Sequence, residues 1–108
     1  MTFPPRGAAA GLLAVAMAAG AAWAAPRLHT ITIDKLTFAP APVHLHAGDK
    51  VVWINHDLFQ HSATADDKSF DVDLKPGERG QIVLRKPGVY SYFCKYHPGM
   101  RGRLVVTK

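Results

Sequence analysis

The chain has 108 residues, 13 Lys and Arg against 8 Asp and Glu, a net charge of +5 and 48% hydrophobic residues. This length holds one domain, and the basic residues are scattered, without the arginine-rich run or interleaved aromatics of a nucleic-acid interface. A single cysteine leaves the chain with an unpaired thiol to explain.

Residues 1–24 read as a leader. Arg6 gives a small positive n-region, Gly7 to Ala22 is an Ala/Gly/Leu/Val stretch, and Ala22-Trp23-Ala24 carries the small residues that signal peptidase requires, so cleavage is expected after Ala24. The competing reading, an uncleaved anchor, is disfavoured by a stretch poor in Leu and Ile and short for a span. The expected mature domain, residues 25–108, loses Met1 and Met17 and keeps one cysteine, Cys94, and one methionine, Met100.

Beyond the leader, short β-type runs alternate with turn signals, and no sustained helical period appears. The spacing predicts strands over Leu28–Leu36, Val43–His46, Lys50–Asn55, His61–Ala65, Gly80–Arg85, Gly88–Cys94 and Arg101–Thr107, with a short strand or helical turn between Ser69 and Leu74. Ala47-Gly48-Asp49, Lys75-Pro76-Gly77-Glu78 and Lys86-Pro87-Gly88 are the turns between them. An all-β, two-sheet sandwich is the fold class this pattern favours. Alternation places Ile31, Ile33, Val52, Ile54, Ile82, Leu84, Val89, Ser91, Phe93, Leu104 and Val106 inward, with Phe38 and Trp53 as core aromatics.

The chemistry is concentrated in Phe93-Cys94-Lys95-Tyr96-His97-Pro98-Gly99-Met100, where a thiol, an imidazole and a thioether recur at three-residue intervals. Two histidines, a cysteine and a weak methionine suit copper in both of its oxidation states, because soft sulfur favours Cu(I) and imidazole serves either. The loop supplies three donors and needs a second imidazole, for which His61, at the end of Trp53-x-Asn55-x₅-His61, is the candidate. Copper ligation also accounts for a lone thiol in an exported protein.

Taken together, Trp53-x-Asn55-x₅-His61 and Cys94-x₂-His97-x₂-Met100-Arg101-Gly102-x-Leu104-Val105-Val106 resemble the cupredoxins, the type 1 blue copper proteins, and the short ligand loop is most similar to those of the amicyanin/plastocyanin-type small members. The resemblance covers residues 28 to 108. It implies Greek-key connectivity and one copper ion on His61, Cys94, His97 and Met100. It also implies a role for Asn55 in pinning the two ligand-bearing loops together, and an amide hydrogen bond from Ser62 to the Cys94 sulfur. The chain departs from the pattern at Tyr96, where such loops commonly carry proline. Proline has no N–H, so a second amide donor to the sulfur is expected there.

The function implied is transfer of single electrons between larger redox proteins, with an amine-dehydrogenase-like donor and a c-type cytochrome acceptor by analogy, in the periplasm and as a monomer. Electrons would pass through the His97 edge, ringed by Pro98, Gly99, Phe59 and Pro40, with Lys95, Arg101 and Arg103 steering acidic partners. A copper chaperone or scavenger is the alternative, although a closed four-ligand set with one methionine fits it less well than exchangeable ligands would. A structural zinc site is a third reading, and such sites seldom use a thioether. No nucleophile or acid/base set for an enzyme is evident. His29, His44, His46 and His56 read as surface residues, and Asp66-Asp67 and Asp71-x-Asp73 as solvated turns.

Overall fold

In the computed structural model, which describes residues 25–108, nine strands form two sheets. They are β1 (Leu28–Asp34), β2 (Thr37–Ala39), β3 (Val43–His46), β4 (Lys50–Asn55), β5 (His61–Ala65), β6 (Asp71–Leu74), β7 (Arg79–Val83), β8 (Gly88–Phe93) and β9 (Arg101–Thr107). One sheet has the order β2-β1-β4-β7 and the other β3-β9-β8-β5-β6. The leader expected over residues 1–24 lies outside the described residues.

Two pairings are parallel, β1 with β4 and β3 with β9. Parallel neighbours need a crossover, and here β2 closes a hairpin on β1 before β3 crosses to the other sheet. The expected strand over Leu28–Leu36 therefore ends early. Lys35 and Leu36 take positive φ values of 52° and 59° and turn the chain into β2, which the sequence reading left out. Neither is a glycine, so composition carried no turn signal there. The short strand before Leu74 is β6, an edge strand.

The core is fixed by an aromatic cluster spanning both sheets. Phe38 meets Tyr92 edge-on at 4.8 Å, Tyr92 meets Trp53 at 5.4 Å, and Trp53 meets Phe70 at 5.5 Å between ring centroids. Such rings bury about 150–250 Å² each and gain further from edge-to-face geometry. Gly102, paired with Tyr92 across β8 and β9, is required by close approach, since a Cβ there would run into the Tyr92 ring. Burial pushes the Tyr92 phenol up to about 12, opposed only by the neighbouring Trp53 indole.

Two alternation phases come out reversed. In β8 it is Tyr92 that points inward, in phase with the following Cys94, while Val89 is 62% exposed and Ser91 and Phe93 are half-buried. In β4, Val51, Trp53 and Asn55 share the core face with Ile31 and Ile33 of β1. Val52 is buried but outside the central cluster, and Ile54 is half-buried. Both strands have large apolar or aromatic residues on each face, so period 2 carries no phase information. Ile31, Ile33, Leu84, Leu104, Val106, Phe38 and Trp53 are buried as expected.

At the pole away from Cys94, the His46–Asp49 turn passes through Gly48 at φ 94°. The Asp49 carboxylate accepts from the amides of Arg27 and His46 and bonds His29 Nε2 at 3.0 Å. His29 is thus a partnered rather than a free surface residue. The Arg27 amide first, then His29 and His46, hold the Asp49 carboxyl well below the usual carboxylate range. A depressed folded-state pKa contributes stability above the unfolded value of about 3.9, and that contribution is lost as pH falls toward the folded value. Thermal melts of Asp49→Asn should show a lower Tm than the parent at pH 7, with the gap closing as pH drops below 4; a gap independent of pH would contradict this.

Candidate metal centre

Four strand ends meet at the other pole. Asn55 ends β4, His61 opens β5, Cys94 follows β8 and Met100 precedes β9. The loop between Cys94 and Met100 closes on itself through the Cys94 N–H to Met100 C=O bond at 3.1 Å and two turn bonds, His97 N–H to Cys94 C=O and Met100 N–H to His97 C=O. These bonds bring the sulfur and imidazole together, although the two residues stand three apart on a non-helical segment.

Cys94 Sγ lies 3.7 Å from His61 Nδ1 and 3.9 Å from His97 Nδ1. All three donor atoms are within 4.8 Å of one another, and this is the cluster of three metal-ligating side chains found among the described residues. The spacing can be tested against an ion. With bonds of about 2.0 Å to nitrogen and about 2.3 Å to sulfur at trigonal angles, nitrogen and sulfur stand about 3.7 Å apart. The side chains are therefore already placed to hold one first-row metal ion. Cys94 and His61 are fully buried, Met100 is buried, and His97 is half-buried at the surface.

Cys94 and His61 are each held from behind. Ser62 N–H donates to Cys94 Sγ at 3.3 Å, as the resemblance implies. The Tyr96 amide does not join it: among the described residues Ser62 supplies the amide bond to the sulfur, and Tyr96 acts through its side chain instead. Asn55, fully buried, donates from Nδ2 to Phe59 C=O at 2.8 Å and to Leu74 C=O at 2.9 Å, and its Oδ1 accepts from the Asp57 amide. It pins the His61-bearing loop to the end of β6 rather than to the cysteine loop.

Asp57 is a functional residue that sequence reasoning missed. Its Oδ2 sits 2.8 Å from His61 Nε2, and its two oxygens also accept the amides of Lys35 and Leu36 in the β1–β2 turn. The Leu36 amide first, with help from His61 and against burial, holds the carboxyl below its usual range. A carboxylate behind a ligating imidazole fixes the tautomer and leaves Nδ1 free to bind. Only an acidic residue four before His61 hinted at this, and that spacing has no meaning outside the folded loop.

Of the cations expected to steer partners, Lys95 is engaged by Asp71 at 3.0 Å and Asp73 at 3.2 Å, and Arg101 by Asp66 at 2.6 Å. Arg103 has no ion-pair partner among the described residues. The Phe59 ring is 6.0 Å from that of His97, with Phe59 56% and Leu58 88% exposed.

A β-sandwich whose strand ends converge one cysteine sulfur and two imidazoles defines a protein of the mononuclear blue-copper class. The chain belongs to the cupredoxin-like domain family, whose model matches residues 7–106. Amicyanin-alpha of Methylorubrum extorquens is 33% identical over 101 residues, covering 84% of this chain and 85% of that one. Amicyanin of Paracoccus versutus is 30% identical over 82 residues, covering 70% of this chain and 62% of that relative's length. Among solved structures, a purple cupredoxin from Nitrosopumilus maritimus superposes with a TM-score of 0.69 at 26% identity, covering 73% of this chain and 99% of that one. The copper-containing nitrite reductase of Thermus scotoductus gives 0.71 at 30% identity, covering 82% of this chain but 24% of the enzyme.

Proposed function

We propose that this chain is an exported carrier of single electrons that holds one copper ion with His61, Cys94, His97 and Met100. The observation that carries the reading is the placement of the Cys94 sulfur 3.7 and 3.9 Å from two imidazole nitrogens on different loops. When bound, copper supplies a one-electron couple that sulfur and imidazole donors accommodate in both states.

The chain's own residues do the rest. Cys94 presents a buried thiolate, and the Ser62 amide draws charge off it, favouring the reduced state. Asn55 and Asp57 keep the His61 loop from rearranging. Burial of Cys94, His61 and Met100 excludes water. His97 stands at the rim beside the exposed Phe59 ring, an apolar contact that suits a brief encounter with a redox partner. Four side-chain donors leave no open position for a substrate, so the chain is read as a carrier and not as an enzyme. Its partners are proposed to be a dehydrogenase-type donor and a c-type cytochrome-type acceptor, met as a monomer in the periplasm after cleavage of residues 1–24. No helix of the described residues is long and apolar enough to cross a membrane.

Residues 25–108 loaded with Cu(II) should show an intense visible thiolate-to-copper band that bleaches with ascorbate and returns on reoxidation. A colourless, redox-silent product would overturn the reading.

A further inference from the structure

The ligand loop is thinly supported on its outer side. Lys95, Tyr96, Pro98 and Gly99 are exposed, and a Cβ built at Gly99 would meet nothing within 4 Å. Backbone bonds run within the loop from Cys94 to Met100, and on its inner side the Lys95 amide donates to Ser62 Oγ at 2.8 Å. On the outer side, attachment comes from two consecutive side chains, and both reach the edge strand β6. Lys95 Nζ engages Asp71 and Asp73, while the Tyr96 hydroxyl donates to Asp73 Oδ1 at 3.0 Å and accepts from Gln60 Nε2 at 3.3 Å.

The position of the phenol is the informative point. Gln60 immediately precedes His61, and Tyr96 lies between Cys94 and His97. One oxygen thus joins the segment carrying the first imidazole, the loop carrying the sulfur and second imidazole, and a strand that belongs to neither. Asn55 ties only the first of these to β6.

Resting on the copper reading, we propose that Tyr96 is a positioning residue: its hydroxyl, clamped between Asp73 and Gln60, holds the Cys94–His97 segment in register with His61 and so slows the opening of the site that releases the ion. A residue at this position lacking a hydroxyl cannot close this three-way contact. Lys95 contributes a second tie to the same strand, but its ammonium is shared between two carboxylates and reaches no group on the His61 loop.

The test measures release of Cu(I) to a chromophoric chelator from reduced, loaded protein, together with the visible spectrum of the Cu(II) form. Tyr96→Phe and Asp73→Ala should each speed release about two- to tenfold, the factor that one net hydrogen bond carries. The double variant should be no faster than the quicker single one, since both remove the same contact. Asp73→Asn, which keeps an oxygen for the phenol while deleting the charge paired with Lys95, should release close to the parent rate. Parent-like release from a Tyr96→Phe protein with an intact visible band, or singles whose effects multiply, would overturn the clamp. A parent protein that binds no copper would instead overturn the copper reading, and the clamp with it.

Discussion

Cys94→Ser should leave a folded protein that gives no intense visible band with Cu(II). The band depends on charge transfer from a soft thiolate, and the chain holds no other cysteine to replace it. Serine does not ionise near neutrality and its hard oxygen does not favour Cu(I), so the reversible one-electron couple should disappear along with the colour. The fold has little reason to fail: the substitution is nearly isosteric, and the new oxygen inherits the Ser62 amide as a donor. Exchanging a thiol for a hydroxyl at a buried site costs about 1–3 kcal/mol, which melting of the metal-free protein would register. Far-UV circular dichroism together with the copper spectrum separates loss of the site from loss of the fold. A Cys94→Ser protein that stays intensely coloured would show that the sulfur is not the ligand.

The parts of this site legible in the sequence are those built from local spacing and unusual residue types. A thiol, an imidazole and a thioether within seven residues have few joint explanations, and Trp53-x-Asn55-x₅-His61 supplied the remote donor. His61, Cys94 and His97 indeed converge. Strand phase was less legible. Gly88-Val89-Tyr90-Ser91-Tyr92-Phe93 has apolar groups on both faces, and only the demand that Cys94 point inward, together with Gly102 opposite Tyr92, selects Tyr92 as the core residue. What supports the donors was hardest to read, because it depends on contacts between distant segments. Asp57 meets residues 21 and 22 positions earlier, and Tyr96 meets Asp73 and Gln60 at separations of 23 and 36. The pairing of two of the three proposed steering cations was hidden for the same reason: nothing local in the chain says that Lys95 and Arg101 will be engaged by β6 and the turn before it.

Asp57→Asn should raise the reduction potential of the copper-loaded protein and destabilise the metal-free one. The carboxylate accepts from two backbone amides and lies 2.8 Å from the distal nitrogen of His61, with its side chain about nine-tenths buried. It is held ionised at neutral pH by those donors. Its negative charge makes the imidazole more basic and stabilises the more highly charged Cu(II) form over Cu(I). Asparagine removes the charge and keeps one acceptor oxygen, so at least one of three donors goes unsatisfied, a loss of about 1–3 kcal/mol. Removing such a partner typically weakens metal affinity about 10–100-fold. Where that loss falls on Cu(II), each tenfold raises a one-electron potential by about 59 mV, which puts the expected shift at roughly 60–120 mV positive. Voltammetry of parent and Asp57→Asn proteins at one pH reads the shift directly. An unchanged or lowered potential in a variant that keeps its visible band would mean that Asp57 only braces the β1–β2 turn and does not act through His61.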